Sequence, residues 1–350
     1  MKRIRSFFVV ILLTVPIRCR ADIGPAPGSG LMAPSFARAD VVCAGNVTGI
    51  RLSPGRAVPA VRNKLPINKI NGVFVLSVAR CYKGSAQSAE VSFVTHEPPE
   101  LSTDVSVVIG EDLLVLLKRS DAGMFVLVDP NWGKWDARLV TFARPEGDGL
   151  QQLERDLVLN VDREKSTTSQ LSNLRILHSL DTVSDGTINS LRRLFASPDS
   201  NVTLEAFAVA MKAGQASDVT AFERYLESNT QLTEQMLQQH DFSSIERLTD
   251  RGALEALEGL ARMPFTALRY SAMAGIRHLR DPASVPELVK YLDGADPMME
   301  YLALITLAEI TGRLGEDAPS MQTFDGNREK YIASWRQWWV DAGKAQYEPR

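Results

Sequence analysis

Apolar residues in the C-terminal half of the chain recur at helical spacing. Leu171, Leu174, Leu177 and Leu180 are three residues apart, which places them along one side of a helix. The next segment repeats this pattern at Ile188, Leu191, Leu194 and Phe195. We therefore predict that the chain is all-helical from about residue 146 onward.

The helical half contains an internal repeat. Residues 265–294 form two helical segments broken at Asp281-Pro282, where proline lacks an N–H and disfavours a helical residue before it. Residues 202–226 show the same pattern 66 positions earlier, which is two units of 33. The aligned residues are Ala206, Ala208, Val219, Phe222, Tyr225 and Leu226 with Ala272, Ala274, Val285, Leu288, Tyr291 and Leu292. This period is typical of a solenoid built of helix pairs.

The interval between these two units should hold a degenerate third unit. Ile245 and Leu248 could supply its first helix. Its second helix would carry Ala253, Leu254, Leu257 and Leu260.

The best-defined unit resembles a HEAT repeat of the bacterial type, which is also found in phycobilisome lyases. The matching residues are Arg269, Ala272, Leu279 to Pro282, Val285-Pro286, Leu288, Leu292-Asp293, Tyr301, Ala303 and Leu307. The resemblance implies stacked helix pairs over residues 146–342. It does not imply bilin chemistry, because repeats fix an architecture and not an activity.

Aromatic residues cluster near the C-terminus on one helical face. They are Tyr331, Trp335, Trp338 and Trp339, and the apolar Ile332 lies on the same face. The face could seal the apolar end of the last repeat, or it could be an aromatic ligand clamp. Residues 343–350 are interpreted as a tail.

Residues 40–145 are predicted to form a small β domain of five or six short strands. Alternating or β-branched apolar runs separated by turn residues lead to this prediction. The runs are Asp40–Ile50, Gly72–Tyr82, Val91–Thr95, Asp112–Leu117 and Met124–Val128, to which Arg138–Phe142 could add one.

This half resembles the OB-type barrel of the netrin and tissue-inhibitor-of-metalloproteinases group. The matching residues are Asp40-Val41-Val42, Lys83-Gly84, Gly110-Glu111 and Gly123. The inhibitors place an N-terminal cysteine in a protease zinc site, whereas Cys43 follows a long segment here, so inhibition is not carried over. The expected fold is multidomain α+β: a small OB-like β-barrel followed by an all-α, HEAT-like helical solenoid.

The N-terminus has the features of a signal peptide. Lys2, Arg3 and Arg5 precede the apolar run Phe7–Ile17, and small residues favour cleavage after Ala21. Residues 1–21 would then be removed and the protein would be secreted or periplasmic; the alternative is a retained membrane anchor. Residues 22–39, rich in Gly, Pro, Ala and Ser, are interpreted as a flexible spacer.

Cleavage changes the charge and the cysteine count. It removes five basic and no acidic residues, which leaves 34 basic against 42 acidic residues and a net charge of −8. Such a charge argues against a nucleic-acid partner. Cys43 and Cys81 would remain, either as a disulfide in an oxidising compartment or as two buried thiols. No later stretch is apolar enough for a membrane span.

No catalytic motif is present in the sequence, so we expect neither enzymatic activity nor a cofactor or metal site. His96 lies near Glu97, Glu100 and Asp104. This segment is interpreted as a solvated acidic loop, with a metal-assisted hydrolase as the alternative function.

The leading hypothesis is an exported scaffolding protein that binds a protein or peptide on its helical surface. Arg224, Arg262 and Lys290 on the second helices are the candidate contact residues. The alternative is an inhibitor or a carbohydrate- or peptide-binding module that acts through the barrel. In that case Trp132 and Trp135 could stack on the ligand, although they could also cover the barrel or contact the helical domain.

Overall fold

The computed structural model describes residues 32–52, 72–85, 89–95, 107, 109–128, 134–294, 296–315 and 317–348. Several sequence predictions lie outside these residues. They are the signal peptide at 1–21, the spacer as far as residue 31, the loop with His96, Glu97, Glu100 and Asp104, and Trp132.

The N-terminal part forms a closed β-barrel, as predicted. Its described strands are β1 Val41–Leu52, β2 Gly72–Lys83, β3 Glu90–Val94, β4 Asp112–Arg119, β5 Phe125–Leu127 and β6 Lys134–Asp136. The order β1-β2-β3-β5-β4 closes into a barrel because β4 pairs back onto β1. All these pairings are antiparallel except that of β3 with β5. β6 pairs with the first part of β4.

Strand β4 is apolar throughout because both of its faces are buried. Leu113, Val115 and Leu117 point into the barrel core. Leu114 and Leu116 point outward and pack in a second core that includes residues of the helical part. The alternation of a strand with period two is therefore present, but both sets of positions are apolar.

The barrel contains the disulfide that the cysteine count suggested. Cys43 and Cys81 are direct partners across β1 and β2, with their Cα atoms 4.0 Å apart, and their sulfur atoms are bonded. Cys43 is fully buried in the barrel core.

The C-terminal part is mostly helical. The helices are α1 Met32–Arg38, before the barrel, and then α2 Gly149–Arg163, α3 Thr167–Ser179, α4 Asp185–Leu191, α5 Ser200–Ala210, α6 Ala216–Ser228, α7 Glu234–Leu237, α8 Leu254–Arg262, α9 Thr266–Leu279, α10 Val285–Tyr291, α11 Pro297–Thr311, α12 Met321–Trp338 and α13 Lys344–Tyr347. Short 3₁₀ turns lie at Arg192–Ala196, Met211–Ala213, Ser243–Arg247, Arg251–Ala253 and Pro282–Ser284, and a π turn lies at Trp339–Gly343.

The helices pack in two rows. In one row α3 packs on α5, and α9 packs between the turn Ser243–Arg247 and α11. In the other row α6 packs on α8. The helix expected at Ile245 and Leu248 is only the 3₁₀ turn Ser243–Arg247, whereas the helix expected to carry Leu254, Leu257 and Leu260 forms as α8. One apolar core runs from α5 to α12 between these rows.

The Asp281-Pro282 corner forms as the sequence predicts. Helix α9 ends at Leu279, and Arg280 has a left-handed backbone with φ 48°. The Asp281 Oδ1 atom then accepts a hydrogen bond from the Ala283 N–H at 3.0 Å and caps the next turn.

Acidic residues also cap helices in neighbouring units. The Asp250 carboxylate accepts the Gly252 N–H of its own turn at 2.9 Å and the Ala216 N–H at the start of α6 at 3.1 Å. Glu234 on α7 accepts the Thr266 N–H at the start of α9 at 2.8 Å. Asp250 and Glu234 therefore satisfy backbone donors at the start of two other helices, α6 and α9.

The terminal segments differ from the sequence interpretation. Residues 32–38 form α1 instead of a flexible spacer, because Met32 is fully buried and Lys83 donates to the Ala37 carbonyl at 2.7 Å. Within residues 343–350, which the sequence analysis interpreted as a tail, Lys344–Tyr347 forms α13, and the Tyr347 ring lies 6.1 Å from the Trp338 ring.

The aromatic face of α12 packs onto the end of the helical core. Trp335 is buried, and its indole N–H donates to the Asp317 carbonyl at 3.1 Å. Tyr331, Trp338 and Trp339 are partly buried against the same core. This packing favours the interpretation as a cap over that as a ligand clamp.

The barrel and the helices share a buried polar contact centred on Asp156 of α2. Its carboxylate is fully buried and accepts hydrogen bonds from Arg80 at 3.0 Å and Tyr82 at 3.0 Å, both on β2. It also accepts the Ala143 N–H at 2.7 Å and the Gln152 side-chain N–H at 3.0 Å. Burial, and then the Asp156 charge, raise the pKa of Tyr82, so the phenol stays a donor.

The sixth strand suggested at Arg138–Phe142 is wrong, and α2 explains why. The Asn160 side chain accepts the N–H groups of Val140 at 2.9 Å and Thr141 at 3.0 Å, and donates to the Thr141 carbonyl at 2.7 Å. These backbone groups bond to a helix face instead of a neighbouring strand, and the sixth strand forms earlier, at β6.

We predict that Asp156→Asn lowers the free energy of unfolding by about 3 kcal/mol, because the partly buried Arg80 and the buried Tyr82 lose their charged acceptor. Urea unfolding at pH 7 measures this change. The control Asp121→Asn, in an exposed turn, should change stability by less than about 0.5 kcal/mol. Equal effects of the two substitutions would contradict the role given to Asp156.

We predict that reducing the Cys43–Cys81 disulfide lowers stability by about 4 kcal/mol, as expected for a closed loop of this length. The two cysteines are 38 residues apart. Guanidinium unfolding with and without a reductant gives the difference. The double variant Cys43→Ala/Cys81→Ala serves as the control and should not respond to the reductant. An unchanged midpoint for the reduced natural protein would refute this estimate.

Candidate functional site

The candidate contact residues lie on three successive second helices. Arg224 is on α6, Arg262 on α8 and Lys290 on α10, and all three are exposed. We call the surface around them the α6–α8–α10 face. Its charged residues are Glu223, Arg224, Glu227, Glu255, Glu258, Arg262, Glu287 and Lys290.

Two of the predicted basic residues bind one carboxylate. The Glu287 oxygens accept hydrogen bonds from Arg262 at 2.9 Å and from Lys290 at 2.6 Å. Burial opposes ionisation of Glu287, but the bonds from Lys290 and Arg262 outweigh it and lower its pKa. Arg262 and Lys290 are therefore partly neutralised within the face.

The acidic residues of the face are less well compensated. Burial, and then the neighbouring Glu287 charge, raise the pKa of Glu258 to about 7. Burial and Glu227 raise the pKa of Glu223 as well. The Glu223 carboxylate lies directly over Gly259 of α8, where a Cβ atom would be 1.5 Å from its oxygen. The face thus carries more acidic than basic side chains, and the side chain of Glu223 reaches from α6 to α8.

Trp135, a further candidate contact residue, is not on this face. Trp135 lies in β6 and packs, half-buried, against the core that the barrel shares with the helices. This placement favours the interpretation as a contact with the helical domain. Trp132 lies outside the described residues.

A buried triad joins α3, α5 and the segment that follows α7. The Glu205 carboxylate on α5 contacts His178 Nδ1 on α3 at 2.7 Å and His240 Nδ1 at 2.6 Å. All three side chains are almost completely buried. Burial alone would raise the pKa of Glu205, but the bonds to His178 and then His240 lower it to about 2.

Sequence reasoning missed this triad because its members are far apart in the chain. Glu205 is separated from His178 by 27 residues and from His240 by 35. The signal was a single glutamate within the apolar segment Val202–Ala210 of α5, all of which is buried. A carboxylate in such a place requires buried donors.

Among the residues that the structure describes, no group of His, Cys, Asp and Glu side chains could hold a metal ion. None of the described helices is long and apolar enough to cross a membrane. Comparison with protein-family models, curated proteins and solved structures gives no significant match to this chain.

We predict that Glu205→Gln lowers the free energy of unfolding by about 3 kcal/mol at pH 7, and that the difference between the variant and the natural protein becomes smaller at low pH. Glu205 has a folded pKa of about 2 against an ordinary value of 4.5. Its stabilisation is therefore complete above about pH 4.5 and disappears as the pH falls towards 2.

Urea unfolding of both proteins between pH 2 and pH 7 tests this dependence. Glu227→Gln, on the exposed surface of α6, is the matched control and should change stability by less than about 0.5 kcal/mol at every pH. A difference between the Glu205→Gln variant and the natural protein that does not vary with pH would refute the prediction.

Proposed function

We propose that this protein is an exported, non-catalytic scaffold that binds a protein or peptide on the α6–α8–α10 face. The observation that carries the proposal is the set of interacting charged side chains on the three helices α6, α8 and α10. Their mutual influence on pKa values shows that they lie within electrostatic reach of one another. An extended face of this kind suits a partner that runs along several units.

The charges of the face favour a partner with basic side chains. Arg262 and Lys290 are already bound to Glu287, whereas Glu258 keeps a raised pKa. A Lys or Arg side chain of the partner, placed beside Glu258, would stabilise the ionised form of Glu258 and offset its repulsion from Glu287. Arg224 at the edge of the face would contact an acidic group of the partner.

We propose further that the barrel is of the OB type and that the helical part is a HEAT-like array. The closed strand order with β3 parallel to β5 supports the first assignment. The two rows of helices and the shortened middle unit support the second. The Cys43–Cys81 disulfide supports export, because such bonds persist in oxidising compartments.

We predict that a photo-crosslinking amino acid at position 224 or 255 captures one discrete partner in the native host. The same amino acid at the exposed position 163 on α2 is the control and should not capture it. The double reversal Glu227→Lys/Glu255→Lys should lower the yield about tenfold, because it removes attraction for basic groups. Added salt should also lower the yield of crosslinked partner for the protein that keeps the natural charges on this face.

The matched control for charge is Glu146→Lys/Glu329→Lys, which makes the same net change at exposed positions elsewhere. Equal yields from this control and from the reversal on the face would show that the charges of the face do not select the partner. Equal capture at positions 163 and 224 would reject the face as the binding surface.

A further inference from the structure

The triad of His178, Glu205 and His240 lies where the helices are shortest, between α5 and the four-residue helix α7 with the turn after it. His178 belongs to α3 and Glu205 to α5, two helices that pack along each other. His240 belongs to the short segment after α7, just before the 3₁₀ turn Ser243–Arg247. A single carboxylate, that of Glu205, therefore joins the two helices α3 and α5 to the segment after α7.

The geometry of the triad makes it sensitive to protons. Both imidazoles approach Glu205 through Nδ1, so each ring directs Nε2 elsewhere. The His240 Nε2 atom is buried and has no hydrogen-bond partner among the described residues. In a neutral ring that donates from Nδ1, this atom is only an unused acceptor. In an imidazolium it would be a buried charged donor without an acceptor, which is costly.

The charge balance allows one added proton but not two. One imidazolium would form a neutral pair with the Glu205 carboxylate, whereas two would leave an excess positive charge in a buried place. The nearest ammonium belongs to Lys212, which donates to the carbonyls of His178, at 2.6 Å, and of Leu180.

The other charged groups nearby do not replace a second carboxylate. Asp181, Asp241 and Arg247 act on Lys212, whose pKa burial lowers. Arg192, on the turn that packs on α5, binds Asp218 of α6 through two hydrogen bonds at 2.8 and 3.0 Å.

We propose that the triad is an acid-sensitive latch that holds segment 229–242 against α5 and releases it when both imidazoles are protonated. This segment should be the part that moves. It contains a single short helix, Glu234–Leu237, and only Leu232, Leu237 and Phe242 as buried apolar residues. The helices α3 and α5 are longer and bury several apolar side chains each, so they should remain packed.

The sign of the effect follows from proton counting. A solvated imidazole ordinarily takes up a proton below about pH 6.5. With two solvated imidazoles in the open state and at most one added proton in the closed state, opening takes up one proton once the closed state holds one. The equilibrium constant for opening should therefore rise up to about tenfold per pH unit as the pH falls below this value.

Hydrogen exchange on the full-length protein tests the latch between pH 7.5 and pH 5.0, after correction for the intrinsic exchange rate. Peptides from segment 229–242 should lose protection by up to about tenfold per pH unit below pH 6.5. Peptides from α3 and α5 should keep their protection. The variant His240→Asn keeps a side-chain donor near the Nδ1 position but cannot be protonated, so its segment should show no such loss.

The control is His278→Asn, on the exposed surface of α9, which should keep the pH response of the natural protein. Protection of segment 229–242 that is independent of pH in the natural protein would overturn the proposal. So would the same pH response in His240→Asn. If that variant does not fold, His178→Asn takes its place, and the pH response of the natural protein alone can still refute the latch.

Discussion

The buried carboxylate of Asp156 is the constraint on which the arrangement of the molecule depends. It is fully buried, and its donors come from β2, from the backbone at Ala143 and from α2 itself. A charge in the interior is tolerated only when donors surround it on several sides. The barrel and the helices must therefore dock in one relative position for the chain to reach a stable state.

The docked state makes one folding unit of two parts that differ in secondary structure. Leu114 and Leu116 of the barrel share a core with Leu153 and Leu157 of α2. If either part folded alone, it would expose this apolar surface and leave Arg80 or Asp156 without its partner. The boundary near residue 146, where the sequence changes from strand to helix patterns, is thus a change of architecture within one packed structure.

Most of the barrel could be predicted because strands leave a local signal. Alternation and turn residues located β1 to β5 within a few residues, and the Asp281-Pro282 corner lies where proline chemistry requires it. The apolar run of β4 was also recognisable as a strand. What the sequence could not show is that the outward-facing positions of β4 contact helices rather than another sheet.

The errors share one physical cause, which is that a polar residue looks the same whether it faces water or the interior. Gln152, Asp156 and Asn160 are four residues apart on α2 and resemble a solvated face, yet all three are buried and bind backbone groups. Because Asn160 on this polar face binds the backbone at residues 140 and 141, the expected strand at 138–142 does not form. The burial of His178 and His240 was hidden in the same way, and the distance along the chain hid their contact with Glu205. Arg262 and Lys290 could likewise not be recognised as partners of Glu287.

The capping of one unit by another limits how the helical part can change over evolution. Glu234 supplies the cap of α9, and Asp250 binds the start of α6. Duplication or loss of a single helix pair would leave some helix ends with bare N–H groups. A change in the number of helices between these elements would therefore have to supply new caps for α6 and α9.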